Sequence, residues 1–158
     1  MSYKNIEIQE ELLQLDHFSN EDAVAIGILI YERAKELGYA MAIDISRGGL
    51  TLFHLHMDGT GGQESENWMR RKRNTVYYFQ KSSLRFETPE TEGGIEGTGL
   101  NRTDYAPAGG GFPIFVKGIG FAGAAIASGL AGIDDHNLVV WAICKHYGIE
   151  GCPNAEIV

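Results

Sequence analysis

No stretch of this chain reaches the roughly 20 consecutive apolar residues that a membrane-spanning helix needs, and the opening MSYKNIEIQEELLQ is polar where a secretory leader would be apolar. A cytoplasmic location, with no membrane partner, is the expectation. Positive charge is also scarce. Lys and Arg number 13 against 21 Asp and Glu, for a formal net charge of −8, so the chain as a whole repels phosphate backbones and nucleic acid is not expected as a partner. The one basic cluster is Arg70-Arg71-Lys72-Arg73. The two cysteines, Cys144 and Cys152, form no CxxC pair and read as reduced thiols, one on a helix and one in the tail. No Ser-His-Asp order, Cys-His pairing, P-loop or HExxH is present, which argues against the familiar hydrolases and transferases.

What the chain does have is enough apolar material for one core. Its 158 residues, 44% hydrophobic, suit a single domain over 1–158, with residues 1–18 as an N-terminal extension and 149–158 as a C-terminal tail. Ser19 and Asp22 resemble a capping box, and AVAIGILIYERAKEL then carries apolar residues at helical spacing up to Gly38, predicting a helix over about 20–37. AMAIDISR alternates Met41, Ile43 and Ile45 against Ala42, Asp44 and Ser46. Arg47-Gly48-Gly49 turns the chain and LTLFHLHM alternates again, which is a β-hairpin.

A polar loop, DGTGGQESE, leads into a second helix over about 67–82, with Trp68, Thr75 or Val76, and Phe79 on one face and Ser82-Ser83 at its end. Residues 84–111, rich in Gly, Glu and Thr, form a loop long enough to border a site. FPIFV, a glycine run with AAIAS, and the helical DDHNLVVWAICKHY complete the chain. Helix, two strands, helix, long loop, two strands, helix indicates an α+β fold, an antiparallel sheet flanked by helices, since parallel pairs need a crossover after each strand.

The segment FPIFVKGIGFAGAAIASGLAG contains Gly118-x-Gly120-x-x-Gly123, the fingerprint of a dinucleotide-binding loop. Such a loop requires a helix immediately after the glycines and an acidic residue about 20 positions on. That position falls near Ile143, which has no acid beside it, and only 35 residues remain after Gly123. A hairpin turn over Lys117–Gly120, with Gly123 allowing a close backbone approach, is the better reading, so neither NAD nor FAD is expected.

His54 and His56, at i and i+2, share one face of a strand and are the candidates for a metal. The sequence shows no third ligand, and a solvated or interface face is the favoured reading, with no metal assigned.

GTGGQESENWMRRKRNTV, Tyr105-x-x-x-Gly109-Gly110-Gly111-Phe112-Pro113-Ile114 and GLAGIDDHNLVV together resemble the uncharacterised branch of the haem-degrading-domain family, that of GlcG-like and HbpS-like proteins. The resemblance runs from about Asn20 to Tyr147. It implies a profilin-like α/β sandwich assembled as a homo-oligomer, with haem as the candidate cofactor, and it assigns no reaction. Many relatives place a His just before the Gly-Gly pair, where this chain has Ala108.

Within these motifs, Arg71 or Lys72 could reach an anionic ligand such as a carboxylate or propionate, or form a structural ion pair. Tyr105 and Gly109 to Gly111 could wall a shallow pocket, or the glycines could simply let two chain segments approach. His136 could act as a proton donor or ligand, or serve in capping and local hydrogen bonding at the start of the last helix. The ligand-binding candidates are therefore Arg71, Lys72, Tyr105, Gly109, Gly110 and His136. The reading is a small-ligand-binding protein, possible ligands being haem or another anion. The alternative is a structural or interaction protein whose motifs build an oligomer or partner interface.

Overall fold

The structure is a computed structural model and describes residues 2–87 and 95–158. Strand β1 (Tyr3–Lys4), helix α1 (Ile6–Leu12) and strand β2 (Gln14–Leu15) come first, followed by α2 (Asn20–Leu37) and the hairpin β3 (Ala42–Arg47) and β4 (Leu50–His56). Helix α3 (Gln63–Phe79) and two single 3-10 turns, Ser83–Phe86 and Glu96–Thr98, lead to the hairpin β5 (Gly111–Val116) and β6 (Gly120–Ser128). Helix α4 (Gly132–Tyr147) and β7 (Glu156–Ile157) close the chain. No helix among the described residues is long and apolar enough to cross a membrane.

The main sheet has five strands in the order β2-β5-β6-β3-β4. Its β3–β4, β3–β6 and β5–β6 pairs are antiparallel, as the hairpin reading expects. One pair departs from that reading. β2 runs parallel to β5, through Gln14↔Phe115 and Leu15↔Val116, so the sheet is mixed. The parallel neighbour comes from residues 1–18, whose helix α1 lies ahead of it. β1 and β7 pair antiparallel and tie the two ends of the chain together.

Alternation along β3 divides the interior in two. Ile43 and Ile45 face one way and join Ile26, Ile30, Val139 and Ile143 in the larger core cluster under α2 and α4. Each such fully buried aliphatic side chain contributes about 1.5–3 kcal/mol. Ala42 faces the other way and packs with Met69, Val76, Ala124 and Ile126 under α3. Helices thus cover both faces, and this is why Asp44, which a one-sided sheet would leave in water, has no exposed surface.

Helix α2 starts where the sequence predicts. The Ser19 side chain accepts the Asp22 N–H at 3.1 Å, and the Asp22 carboxylate accepts the Ser19 N–H at 2.8 Å. Helix α3 does not. It begins at Gln63, ends at Phe79 with Gln80 in the left-handed region, and buries Ser65, Met69, Lys72, Thr75 and Val76 instead of a stripe through Trp68 and Phe79. Ser82 and Ser83 lie beyond the helix and are fully buried, Ser83 Oγ accepting the Gly111 N–H at 3.0 Å.

The glycine fingerprint is a hairpin. Gly118 and Gly120 take φ values of 78° and 95° in the turn, and β6 continues as strand where a cofactor loop would become helix. A side chain at Gly123 would overlap the Ser46 carbonyl oxygen of the neighbouring strand. No helix N-terminus follows these glycines to receive a pyrophosphate.

Candidate functional site

The buried stripe of α3 places a charge where an apolar residue would be ordinary. Lys72 points at β6 and the start of α4, with its side chain 4% exposed. Its Nζ donates to the Ala127 carbonyl at 3.0 Å and to Asp135 Oδ2 at 3.2 Å. The other oxygen of Asp135 accepts the Leu130 N–H at 2.8 Å, so this side chain fastens the β6–α4 connection. Burial disfavours both charges. It pushes the Asp135 carboxyl up to about 6 and the Lys72 ammonium down, each only partly restored by the other.

Above the pair lies a cleft of about 430 Å³, lined by Trp68, Lys72, Glu87, Gly109, Gly129 and Asp135 among others. Glu87 and Gly109 bring the two ends of the long 84–111 loop to this wall, while residues 88–94 of that loop lie outside the described residues. Gly110, at φ 125°, passes so close that a Cβ there would sit 2.7 Å from Lys72 Nζ. The Glu87 carboxylate reaches into the cleft, takes the Gly109 N–H at 2.6 Å and lies against Gly132, the first residue of α4. An anion is therefore already seated against a free amide and a helix N-terminus, as their partial positive charge favours.

The six ligand-binding candidates separate in space. Lys72 and Gly109 line the cleft and Gly110 backs the lysine. Arg71 lies outside it, its guanidinium 4.6 Å from the centre of the Trp68 ring and its Nε donating to the Arg102 carbonyl at 2.9 Å. Tyr105 packs edge-on against Tyr78 at 5.9 Å and also stays outside. Arg70 pairs with Asp104 and Arg73 with Asp44, each at 2.9 Å, so the basic run serves four different contacts.

His136 is fully buried on α4, away from the cleft wall. Its Nε2 lies 2.6 Å from Gln9 Oε1, its ring packs on Phe112, and its Nδ1 meets no partner among the described residues. Burial lowers its pKa to about 3, so the ring is neutral, with Nε2 as the donor. No side chain caps α4; Asp135 binds the Leu130 amide ahead of it, and His136 makes its hydrogen bond to Gln9. His54 and His56 stand on β4 and do not line the cleft. Cys144 and Cys152 are unbridged, and burial pushes the Cys144 thiol up to about 12.

Sequence reasoning missed Asp135 and Glu87. Asp135 stood in the DDH motif beside the chosen histidine, and its spacing to Gly129 and Leu130 marks a carboxylate able to fold back on the preceding turn. Glu87 carried no such signal.

Comparison with known proteins identifies the family and the fold. The model of the family described as "Haem degrading protein HbpS-like" matches residues 18–144. The chain belongs to this family. A UPF0303 protein of Rhizobium rhizogenes (strain K84) is 42% identical over 147 residues, covering 92% of this chain and 90% of the relative. The crystal structure of the Ybr137w protein superposes with a TM-score of 0.81 at 26% identity, covering 90% of this chain and 86% of that one. The PduOC:Heme complex has a TM-score of 0.67 at 18% identity, covering 88% and 96%, which is a likeness of fold. The expected membership in the HbpS-like family and the expected α+β class both hold.

Proposed function

We propose that this HbpS-like protein binds a small ligand through an anionic group, a haem propionate or another carboxylate, in the cleft between α3, the Gly109–Gly110 strap and the start of α4. The observation that carries the reading is the Glu87 carboxylate. It occupies the Gly109 amide and the α4 N-terminus as a ligand carboxylate would, beside the Lys72 ammonium. A volume of about 430 Å³ lies within the range of small-molecule pockets, roughly 300–1,000 Å³. Lys72 and Gly109 form the contact surface, with Gly110 behind the lysine. Arg71 and Tyr105 hold the neighbouring loop, and His136 stands behind the wall.

The haem carried by PduOC makes haem the first probe. Purified protein is titrated with haem by Soret absorbance and with a panel of small mono- and dicarboxylates by thermal shift. Wild type, Lys72→Met and Glu87→Gln are compared. A ligand in this cleft binds Glu87→Gln more tightly, because the competing carboxylate is gone, and Lys72→Met more weakly. The reading fails if no probe binds beyond a control protein, or if binding ignores both substitutions.

A homo-oligomer in the cytoplasm belongs to the same proposal. β4 is an edge strand, no described strand pairs with its outer side, and Leu50 on it is 62% exposed. This edge also favours the second reading, an interaction protein. Light scattering on the purified chain, with Leu50→Lys as the variant, separates a monomer from an assembly built on that edge.

A further inference from the structure

We propose a divalent transition-metal site, of the kind that holds Zn²⁺, formed by His54, His56 and Glu66 on the open side of the molecule. The two histidines project from one face of β4. The 57–62 loop then turns the chain so that the first turn of α3 passes over them, and Glu66 lies in that turn. Glu66 Oε2 is 2.9 Å from His54 Nε2 and 2.8 Å from His56 Nε2. The three ligand atoms all lie within 4.8 Å of one another. A cation bound at roughly 2.0–2.2 Å from each needs ligand atoms about 3.3 Å apart, so the half-exposed Glu66 carboxylate draws back by a few tenths of an ångström and the two imidazole nitrogens, now within 4.8 Å of each other, adjust their spacing about the ion.

The surroundings are built in the way that metal-binding histidines require. His54 Nδ1 is 3.0 Å from Oδ1 of the fully buried Asp44, whose Oδ2 is fixed by Arg73 at 2.9 Å. A carboxylate behind an imidazole sets the ring's orientation and raises its donor strength. On the other side, a cavity of about 400 Å³ lined by His54, His56, Gly62, Gln63 and Glu66 leaves room for water or a further ligand. Two imidazoles and one carboxylate with open positions match the ligand sets of His₂Glu zinc sites and of the two-histidine, one-carboxylate iron sites. A plain ion pair accounts for the contacts to Glu66, but it gives no reason for a second, buried carboxylate to hold the far side of His54. None of these residues lines the Lys72 cleft, so the two readings stand or fall separately.

The test uses the full chain stripped with chelator. Zn²⁺ is added in calorimetry, and Co²⁺ in a parallel titration read by its visible absorption. The expected result is one ion per chain, an unfolding midpoint raised by Zn²⁺, and at least a tenfold weaker affinity in Glu66→Gln and in His56→Ala. Both substitutions are at partly exposed side chains, and unfolding in chelator confirms that each variant is folded. Glu66→Gln, nearly isosteric, keeps the test intact if His56→Ala does not fold. Absence of saturable binding to wild type, or binding of undiminished affinity in the folded variants, overturns the proposal and leaves an ion pair.

Discussion

Replacing Lys72 by Met removes the one cation paired with Asp135 among the described residues and leaves that buried carboxylate facing β6 alone. The cost follows from the geometry. At pH 7 the protein can relieve the stranded carboxylate by protonating it. With the carboxyl at about 6 even beside Lys72, that step costs at most about 1.4 kcal/mol, one pKa unit. The Nζ bond to the Ala127 carbonyl and the bond to Asp135 are lost as well, and hydrogen bonds to charged groups contribute about 1.5–3 kcal/mol. The two bonds alone come to at least about 3 kcal/mol, so the loss expected is the usual 3–5 kcal/mol or so for breaking a buried pair. For a chain of this length the melting midpoint falls by roughly 6–20 °C.

The assay is urea and thermal unfolding of wild type, Lys72→Met, Asp135→Asn and the double variant. The double variant leaves no stranded charge, and Asn keeps an oxygen for the Leu130 N–H. It is therefore less destabilised than the sum of the singles, by about 1–3 kcal/mol. The pH dependence has a definite sign. A carboxyl raised above its unfolded value of about 3.9 binds protons more strongly in the folded state, so its contribution falls as pH rises through that window. Without Lys72 the window extends above pH 6, and the deficit of Lys72→Met shrinks as pH drops from 8 to 6. Additivity within about 0.5 kcal/mol, together with an equal deficit at both pH values, would refute the account of Lys72 and Asp135 as a coupled buried pair.

Other substitutions probe the fold. Gly123→Ala forces a methyl group against the Ser46 carbonyl and costs about 1–3 kcal/mol or more, measured by urea unfolding; a midpoint equal to wild type contradicts the close strand approach. Asp22 is partly desolvated, yet bonds from the Ser19 N–H, His146 and His17 hold its carboxyl well below the usual range. Its stabilisation is present above the unfolded value of about 3.9 and is lost as pH falls, so Asp22→Asn flattens the acid-unfolding curve below about pH 5; an unchanged curve rejects this. Gly27→Ala drives its new methyl group into the Phe53 ring, and a loss of about 1–3 kcal/mol is expected because that ring, carried on β4, packs against α2 and the larger core cluster. Tolerance of this change without a shift in midpoint would show that Phe53 swings free.

The sequence announces those elements whose ends are chemically marked. Helix α2 carries a capping box at one end and Gly38 in the left-handed region at the other, and both are where the residues say. The β3–β4 and β5–β6 hairpins are legible because period-two alternation meets glycine turns. Helix α3 is illegible at its start. Gly62 takes φ 62°, and no side chain caps the helix. With no Ser, Thr, Asp or Asn to mark it, the first periodic residue is Trp68, and the helix is read four residues late. The same absence hides α1, seven residues entered from Asn5 in the left-handed region with no side-chain cap. β2, two residues long, carries no periodicity that could reveal a parallel partner.

The late start of α3 has a consequence for chemistry. With Glu66 assigned to a loop, His54 and His56 have no third ligand, and the pair reads as a solvated face. Once Gln63 begins the helix, Glu66 falls in its first turn, above the strand that precedes it, and the three side chains meet. The cleft obeys a related logic. Lys72 was visible in the sequence as one of four consecutive basic residues, yet nothing in that run distinguishes the lysine that turns inward from the arginines beside it. The distinction lies in the pattern Ser65, Met69, Lys72, Val76, a helical stripe in which the charge occupies a core position. A basic residue in such a stripe requires a buried acid opposite, and the Asp134-Asp135 pair at the start of α4 was there to supply it. The acid that does so is Asp135, which also binds the Leu130 amide.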